Sequence, residues 1–239
     1  MRDQNHKIRQ EAARTLSVIA VKESTIEPIK KLLNDTAPNV RFNAIRALAK
    51  VARNQETQVF INALGDYDPR IRLFSVIALG KIESKEAVKY MSQLVYDYDP
   101  EVRFALARSL GEIATRECVP ALIALSSDME LLVRIKAVES LGKIKAEEAN
   151  LALVQIANSY DPRVASQAVL MLGDIKSSKA LEVAKSKLNN EHMAVKIAAI
   201  TVIGKMGTKS DLPMLEELLK AESTKVRETT QVAIKTING

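Results

Sequence analysis

The sequence predicts an all-α protein, an α-solenoid of about seven and a half helical hairpins, each 31 residues long. Three observations point there. A β-branched residue followed by a basic one recurs at fixed spacing through all 239 residues. Each recurrence opens a run of apolar residues with helical period, and Asp-Pro pairs stand where those helices should begin.

The recurring pairs are Ile8-Arg9, Val40-Arg41, Ile71-Arg72, Val102-Arg103, Val133-Arg134, Val195-Lys196 and Val226-Arg227, with Val164-Ala165 in the remaining slot. They lie 32 residues apart once and then 31 apart six times, a register that chance does not keep. Counting from the first residue of each pair, position +4 holds Ala12, Ala44, Ser75, Leu106, Ala137, Ala168, Ala199 or Thr230. Position +8 holds Leu16, Leu48, Leu79, Leu110, Leu141, Leu172, Ile203 or Ile234. Position +11 runs from Ile19 and Val51 to Met206 and Ile237. Offsets 0, 4, 8 and 11 share one side of a helix with about 3.6 residues per turn, so each anchor begins an amphipathic helix, helix B of its repeat.

The starts of these helices are legible as well. In Asp68-Pro69, Asp99-Pro100 and Asp161-Pro162 a carboxylate can accept orphan amide hydrogens, and the proline loses only a donor that had no partner. Ser223 is the corresponding cap of the last helix. Upstream of each anchor, apolar residues at −14, −11, −8 and −7 define helix A, as in Ile26, Ile29, Leu32 and Leu33, or Leu212, Leu215, Leu218 and Leu219. Pro120 and Pro213 fall near A-helix starts.

The count is seven A helices and eight B helices in a single repeat domain over residues 1–239. A lone B helix over 3–21 is followed by repeats over about 22–53, 54–84, 85–115, 116–146, 147–177, 178–208 and 209–239. A glycine recurs at +9, as Gly80, Gly111, Gly142, Gly173 and Gly204. In a helix glycine costs roughly 1 kcal/mol relative to alanine. Its repetition therefore suggests that a neighbouring helix comes close at that point.

Composition agrees with thin helical layers. Hydrophobic residues make up 47%, yet aromatics only 4% with no Trp, so the core is built from small and aliphatic side chains. The net charge of +6 is spread over both halves, which excludes a basic tail. Cys118 is the single cysteine, so no intrachain disulfide forms, which fits a reducing compartment. No apolar run approaches the roughly 18 residues of a membrane span. The N-terminus shows no signal-peptide apolar stretch, so a cytoplasmic location and no membrane are the expectation.

The pattern Val-Arg-x-x-Ala-x-x-Ala-Leu-Gly-x-Ile, clearest over 133–144 and 71–82, resembles the HEAT-repeat family. More narrowly it resembles the short HEAT-like repeats of phycobilisome lyases. A second mark is an Asp six residues before the Arg: Asp3/Arg9, Asp35/Arg41, Asp66/Arg72, Asp97/Arg103 and Asp128/Arg134. The resemblance implies a right-handed superhelix in which these residues form an inter-repeat ladder of hydrogen-bonded charges. The later slots read Ser159/Ala165, Asn190/Lys196 and Ala221/Arg227, so the ladder decays toward the C-terminus.

Catalytic constellations are missing from the sequence. His6 and His192 are far apart, and no His-x-x-Glu-His or paired-Cys pattern occurs, so neither metal nor cofactor is expected. The His-Glu pairs that hold di-iron in deoxyhypusine hydroxylase, another HEAT-repeat enzyme, are absent too. Asp66 and Asp68 read as a ladder partner and a helix cap, and Cys118 as a small buried hydrophobe.

What remains is a binding surface. In a solenoid of this kind the B helices line the inner, concave side. Offsets +2, +6 and +10 point away from the core and bring together Phe42, Leu73, Phe104 and Ile135, flanked by Arg14, Arg46, Arg108, Lys50, Lys81 and Lys143. Either the +2 residues stand out as an apolar ridge, or they fill the seams between stacked helices. The favoured reading is a non-catalytic protein-interaction scaffold whose partner offers an acidic segment to this face. Nucleic-acid binding through the same rows is the alternative, opposed by Glu112, Glu139 and Asp174 within them. A subunit of a chromophore-lyase-type enzyme is a third. The unpaired first B helix suggests a piece of a longer protein, and its uncapped face suggests end-to-end self-association.

Overall fold

The computed structural model describes residues 5–18 and 23–239; Asp3 and Ile19 lie outside them, as do the side chains of His6, Ser17, Val18 and Glu23. The described residues form fifteen α-helices and no strand. The B helices are α1 His6–Val18, α3 Pro38–Lys50, α5 Pro69–Lys81, α7 Pro100–Ile113, α9 Leu131–Leu141, α11 Pro162–Asp174, α13 Met193–Met206 and α15 Thr224–Asn238. The A helices are α2 Glu23–Leu32, α4 Thr57–Ala63, α6 Val88–Met91, α8 Val119–Leu125, α10 Glu147–Ile156, α12 Ala180–Lys187 and α14 Leu212–Glu217. Several A segments are shorter than their apolar pattern because tighter 3-10 turns replace part of the helix. One such turn, Ser92–Tyr96, follows the four residues of α6.

The chain forms two compact units, Met1–Ala121 and Leu122–Gly239. In the first, α1, α3, α5 and α7 pack one on the next, with α2 against α3 and α4 against α5. In the second, α9, α11, α13 and α15 stack in the same way, with α10, α12 and α14 laid against them.

Local chemistry sets the helix boundaries. Asp68 accepts from the Arg70 amide at 3.0 Å, Asp99 from Glu101 at 2.8 Å and Asp161 from Arg163 at 2.9 Å. Each is followed by proline at the first helical position. Ser223 caps α15 through the Val226 amide. Each such cap is worth about 1 kcal/mol. At the other end, Glu83, Ala114 and Lys176 take the left-handed conformation with φ of 50°, 51° and 53°. After α5 and α11 the chain then reverses, as the Ser84 amide bonds the Leu79 carbonyl and the Ser177 amide the Leu172 carbonyl.

The anchors Val40, Ile71, Val102, Val133, Val164 and Val195 are buried, as are Leu48, Leu79, Leu110, Leu141 and Leu172 at position +8. Ile8 departs from the series at 54% exposure, because the described residues include no A helix against α1 to cover it.

The +9 glycines are where successive B helices meet most closely. A Cβ on Gly204 would lie 2.8 Å from Cα of Ala233, one on Gly173 2.7 Å from Val202, and one on Gly80 2.5 Å from Ser109. One on Gly142 would run into the Met171 side chain. In each case the obstacle is position +7 of the next B helix, which is why a residue that weakens a lone helix strengthens the stack.

Gly204→Ala is therefore expected to lower the melting temperature, although alanine is the better helix former by about 1 kcal/mol. Lys176→Gly is expected to raise stability by roughly 0.5–1 kcal/mol by removing a side chain from a left-handed position. Thermal melts followed by circular dichroism check both; a Gly204→Ala melt equal to wild type would remove the close-approach account.

Candidate protein-interaction face

The regular arginines are committed inside the fold. In the first unit Arg9 grips Asp35 with Nε and Nη2 at 2.6 and 3.0 Å, Arg41 grips Asp66 at 2.8 and 2.9 Å, and Arg72 grips Asp97 at 2.6 Å through both nitrogens. These forks join an arginine to the aspartate of the following repeat. The remaining nitrogen turns inward: Nη1 of Arg41 donates to the Asp35 carbonyl at 2.9 Å, that of Arg72 to Asp66 at 2.8 Å, and that of Arg103 to Asp97 at 2.6 Å. Each aspartate also accepts the amide two residues on, Ala37, Asp68 or Asp99, which shapes the turn into helix B.

The second unit keeps the turn and loses the fork. Arg134 donates to the Asp128 carbonyl at 2.7 Å. With Ser159 in the next acidic slot it reaches Asp161 instead, at 2.7 Å, and its buried Nε is left without an acceptor. Asp128 and Asn190 still accept the amides of Glu130 and His192. Arg227 bonds only its own turn and Thr224. Asp3 lies outside the described residues.

Two of these carboxylates, those of Asp35 and Asp66, are held below the usual range. For Asp35 the Arg9 hydrogen bonds outweigh the cost of burial. For Asp66 burial pushes upward, and the bonds from Arg41 and the Asp68 amide more than reverse it. The Arg72 guanidinium is driven the other way, mainly by Asp97.

The apolar positions on the B helices are half-buried. Phe42, Leu73 and Phe104 in the first unit, and Ile135 in the second, are neither core nor open. The Phe42 ring meets Phe74 of the next B helix edge-on at 5.7 Å, so this +2 residue fills part of the seam. Its faces carry guanidiniums, Arg46 at 5.2 Å and Arg70 at 4.5 Å. At positions +6 and +10 of these helices Arg14, Lys50, Lys81 and Arg108 are exposed and Arg46 is half-buried. Some of this charge is answered locally: Arg108 by Glu112 at 3.2 Å, Arg14 by Glu11 at 3.7 Å, and Lys81 by the Lys50 carbonyl at 2.8 Å.

Sequence reasoning passed over the tyrosines. All five, Tyr67, Tyr90, Tyr96, Tyr98 and Tyr160, are exposed. Three stand at position −4, the turn between helices A and B: Tyr67, Tyr98 and Tyr160, with Met129 in the same register. The signal was the same 31-residue period, sought only on the helices. A cleft of about 600 Å³ beside α2 and α4 has Asp35, Asp66 and Tyr67 in its wall. Cys118 is fully buried, and burial pushes its thiol up, away from nucleophilic use. Among the described residues no three His, Cys, Asp or Glu side chains gather to hold a metal, and no helix is long and apolar enough to cross a membrane.

This geometry defines a class: an α-solenoid repeat protein whose recurring charges are spent on holding repeats in register. The family model for HEAT repeats matches residues 1–61, 26–97, 57–121, 90–155 and 150–235, and the chain belongs to the HEAT-repeat family. An engineered protein of known crystal structure is 23% identical, with 99% of this chain and 76% of that one covered and a TM-score of 0.60. The complex of CpcE and CpcF of phycocyanin lyase from Nostoc sp. PCC7120 is 19% identical over 98% of this chain and 91% of that one, with a TM-score of 0.53. Human deoxyhypusine hydroxylase is 19% identical over 99% and 92%, with a TM-score of 0.44. No curated protein sequence matches. The similarity is one of fold.

Arg72→Ala is expected to lower stability by about 3 kcal/mol, since it strands a buried carboxylate at Asp97; the pair is only 7% and 3% exposed. Arg103→Ala is expected to destabilise as well, by releasing the Asp97 carbonyl. Denaturant melts check both, and two unchanged midpoints would count against the arginines as structural bonds.

The depressed carboxyls set a pH dependence. Stability from Asp35 and Asp66 is complete above the unfolded carboxyl value of about 3.9 and is lost as pH falls through the lower folded values. The melting temperature should therefore hold between about pH 5 and 8 and fall below about pH 4. The double change Asp35→Asn and Asp66→Asn should lower it at neutral pH and flatten the acid limb.

Proposed function

We propose that the chain is a non-catalytic protein-interaction scaffold, and that a partner with an acidic segment lies on the B-helix face of the first unit. The observation that carries this reading is the surround of Phe42. A half-buried aromatic stacked with two guanidiniums, with Leu73 and Phe104 at the same position of the next two B helices and Arg14, Arg46, Lys50, Lys81 and Arg108 at positions +6 and +10, has the composition of an interface centre. The apolar positions supply area that a partner can finish burying. The exposed cations supply steering and register more than raw affinity.

Nucleic-acid binding is supported less well. Glu112 and Glu11 sit among the cations and pair with Arg108 and Arg14, which breaks the continuous basic track that phosphates need. The family and the lyase-type neighbour support a role through protein contacts, and Ile135 of the second unit belongs to the equivalent position on its own stack.

The test is affinity capture with wild type and two variants, each checked for wild-type circular dichroism. One is Phe42→Asp with Phe104→Asp. The other, which leaves the helix seams intact, is Arg14→Glu, Lys50→Glu and Arg108→Glu. Each is expected to weaken partner binding by about 2 kcal/mol, roughly 30-fold. A folded pair of variants that both retain the same partner at wild-type affinity sinks the proposal.

A further inference from the structure

The turns between helices A and B in the first unit carry a second surface of opposite character. Tyr67 is 94% exposed, Tyr96 87% and Tyr98 71%. Aromatic rings of this size gain from burial, and three open ones on neighbouring turns leave a surface unfinished. They are not loose. The Tyr98 hydroxyl donates to the Tyr67 carbonyl one repeat back at 3.3 Å, and Arg72, anchored on Asp97, lies 4.8 Å from the Tyr98 ring centre. The hydroxyl bond and the guanidinium fix this ring, so a ligand stacking on its open side meets a preorganised surface.

The charge beside these rings is negative. Between Tyr96 and Glu101 the chain reads Tyr-Asp-Tyr-Asp-Pro-Glu. Asp97 is neutralised by Arg72. Asp99 bonds only the amides of Glu101 and Val102, and the exposed Glu101 has no cation within ion-pair distance among the described residues. Two carboxylates thus stand next to the tyrosines on a chain whose net charge is +6. Elsewhere in the unit two rings already hold cations: Arg46 and Arg70 on Phe42, Lys89 on Tyr90. Tyr67 and Tyr96 present the same faces with nothing on them.

We propose that the tyrosine edge formed by Tyr67, Tyr96 and Tyr98, with Asp99 and Glu101, is a docking site for an extended basic segment of another protein. Arginine or lysine side chains of the segment lie over the open rings, each worth about 0.5–2 kcal/mol, and pair with the two carboxylates. An extended segment in the polyproline II conformation has three residues per turn and rises about 3.1 Å per residue, and packed helices lie about 8–10 Å apart, so side chains three residues apart share a face and match turns one repeat apart. The site is independent of the B-helix face, and the scaffold would engage basic and acidic segments at separate places.

With no Trp in the chain and three of the five tyrosines on this edge, intrinsic tyrosine emission responds to binding there, and the tyrosine variants assign the response. The full chain is titrated with an (Arg-Ser-Ser)4 peptide and with (Glu-Ser-Ser)4, by emission and by calorimetry. Saturable binding of the basic peptide alone is expected, weakened about tenfold by Tyr67→Ser with Tyr96→Ser and about threefold by Glu101→Gln. Both variants change exposed side chains only, and unchanged melting confirms that the fold is kept. Arg14→Glu with Arg108→Glu on the B-helix face should leave this affinity within about twofold, which separates the site from the one proposed above. No saturable binding, binding indifferent to the tyrosines, or tighter binding of a single-stranded oligonucleotide at the same edge each overturns the proposal.

Discussion

The stack of the first unit depends on a guanidinium held at the turn between helices A and B. Arg72 is the complete case, with two nitrogens on the Asp97 carboxylate and a third on the Asp66 carbonyl. One side chain thereby closes its own turn and ties it to the next. A buried ion pair contributes little net energy when it merely replaces an apolar contact. Its value here is geometric: a planar fork admits one alignment of neighbouring repeats, where aliphatic layers would slide. Where Ser159 replaces the acid, Arg134 falls back on the helix cap Asp161 and leaves a nitrogen without an acceptor.

The same repeat unit produces surfaces of different sign. Helix B offers its +6 and +10 positions as a cationic margin around half-buried rings, while the turns offer tyrosine and carboxylate. Because each position recurs every 31 residues, a residue type chosen once becomes a row when it is repeated. Rows suit partners that are themselves extended. Apart from Arg72, which steadies the Tyr98 ring, the spent arginines of the ladder add nothing to either row, although in the sequence they look like the most obvious contacts.

Packing limits explain where the stack tolerates variation. Position +9 must stay small because the +7 side chain of the next helix sits against it, as Ala233 does against Gly204. The left-handed residues Glu83, Ala114 and Lys176 show the opposite tolerance. The reversal after helix B is so strongly set by its backbone bonds that a side chain is carried in a conformation that glycine would adopt more easily.

The helices, their caps and the register of the repeats follow from the amino-acid sequence alone, because each rests on spacing: 3.6 residues for a buried stripe, Asp-Pro for a start, 31 for a repeat. Spacing also put Asp and Arg in their slots and marked the +9 glycines. Only the tertiary structure decided which partner each arginine took and that Phe42 is shared between a seam and solvent. It also decided that the tyrosines at −4 stand open while Ile8 loses the cover its pattern promised. Those outcomes depend on which neighbour lies across a turn or a groove. Exposure is a property of the neighbour, and a periodic sequence describes each residue's own helix far better than the one packed beside it.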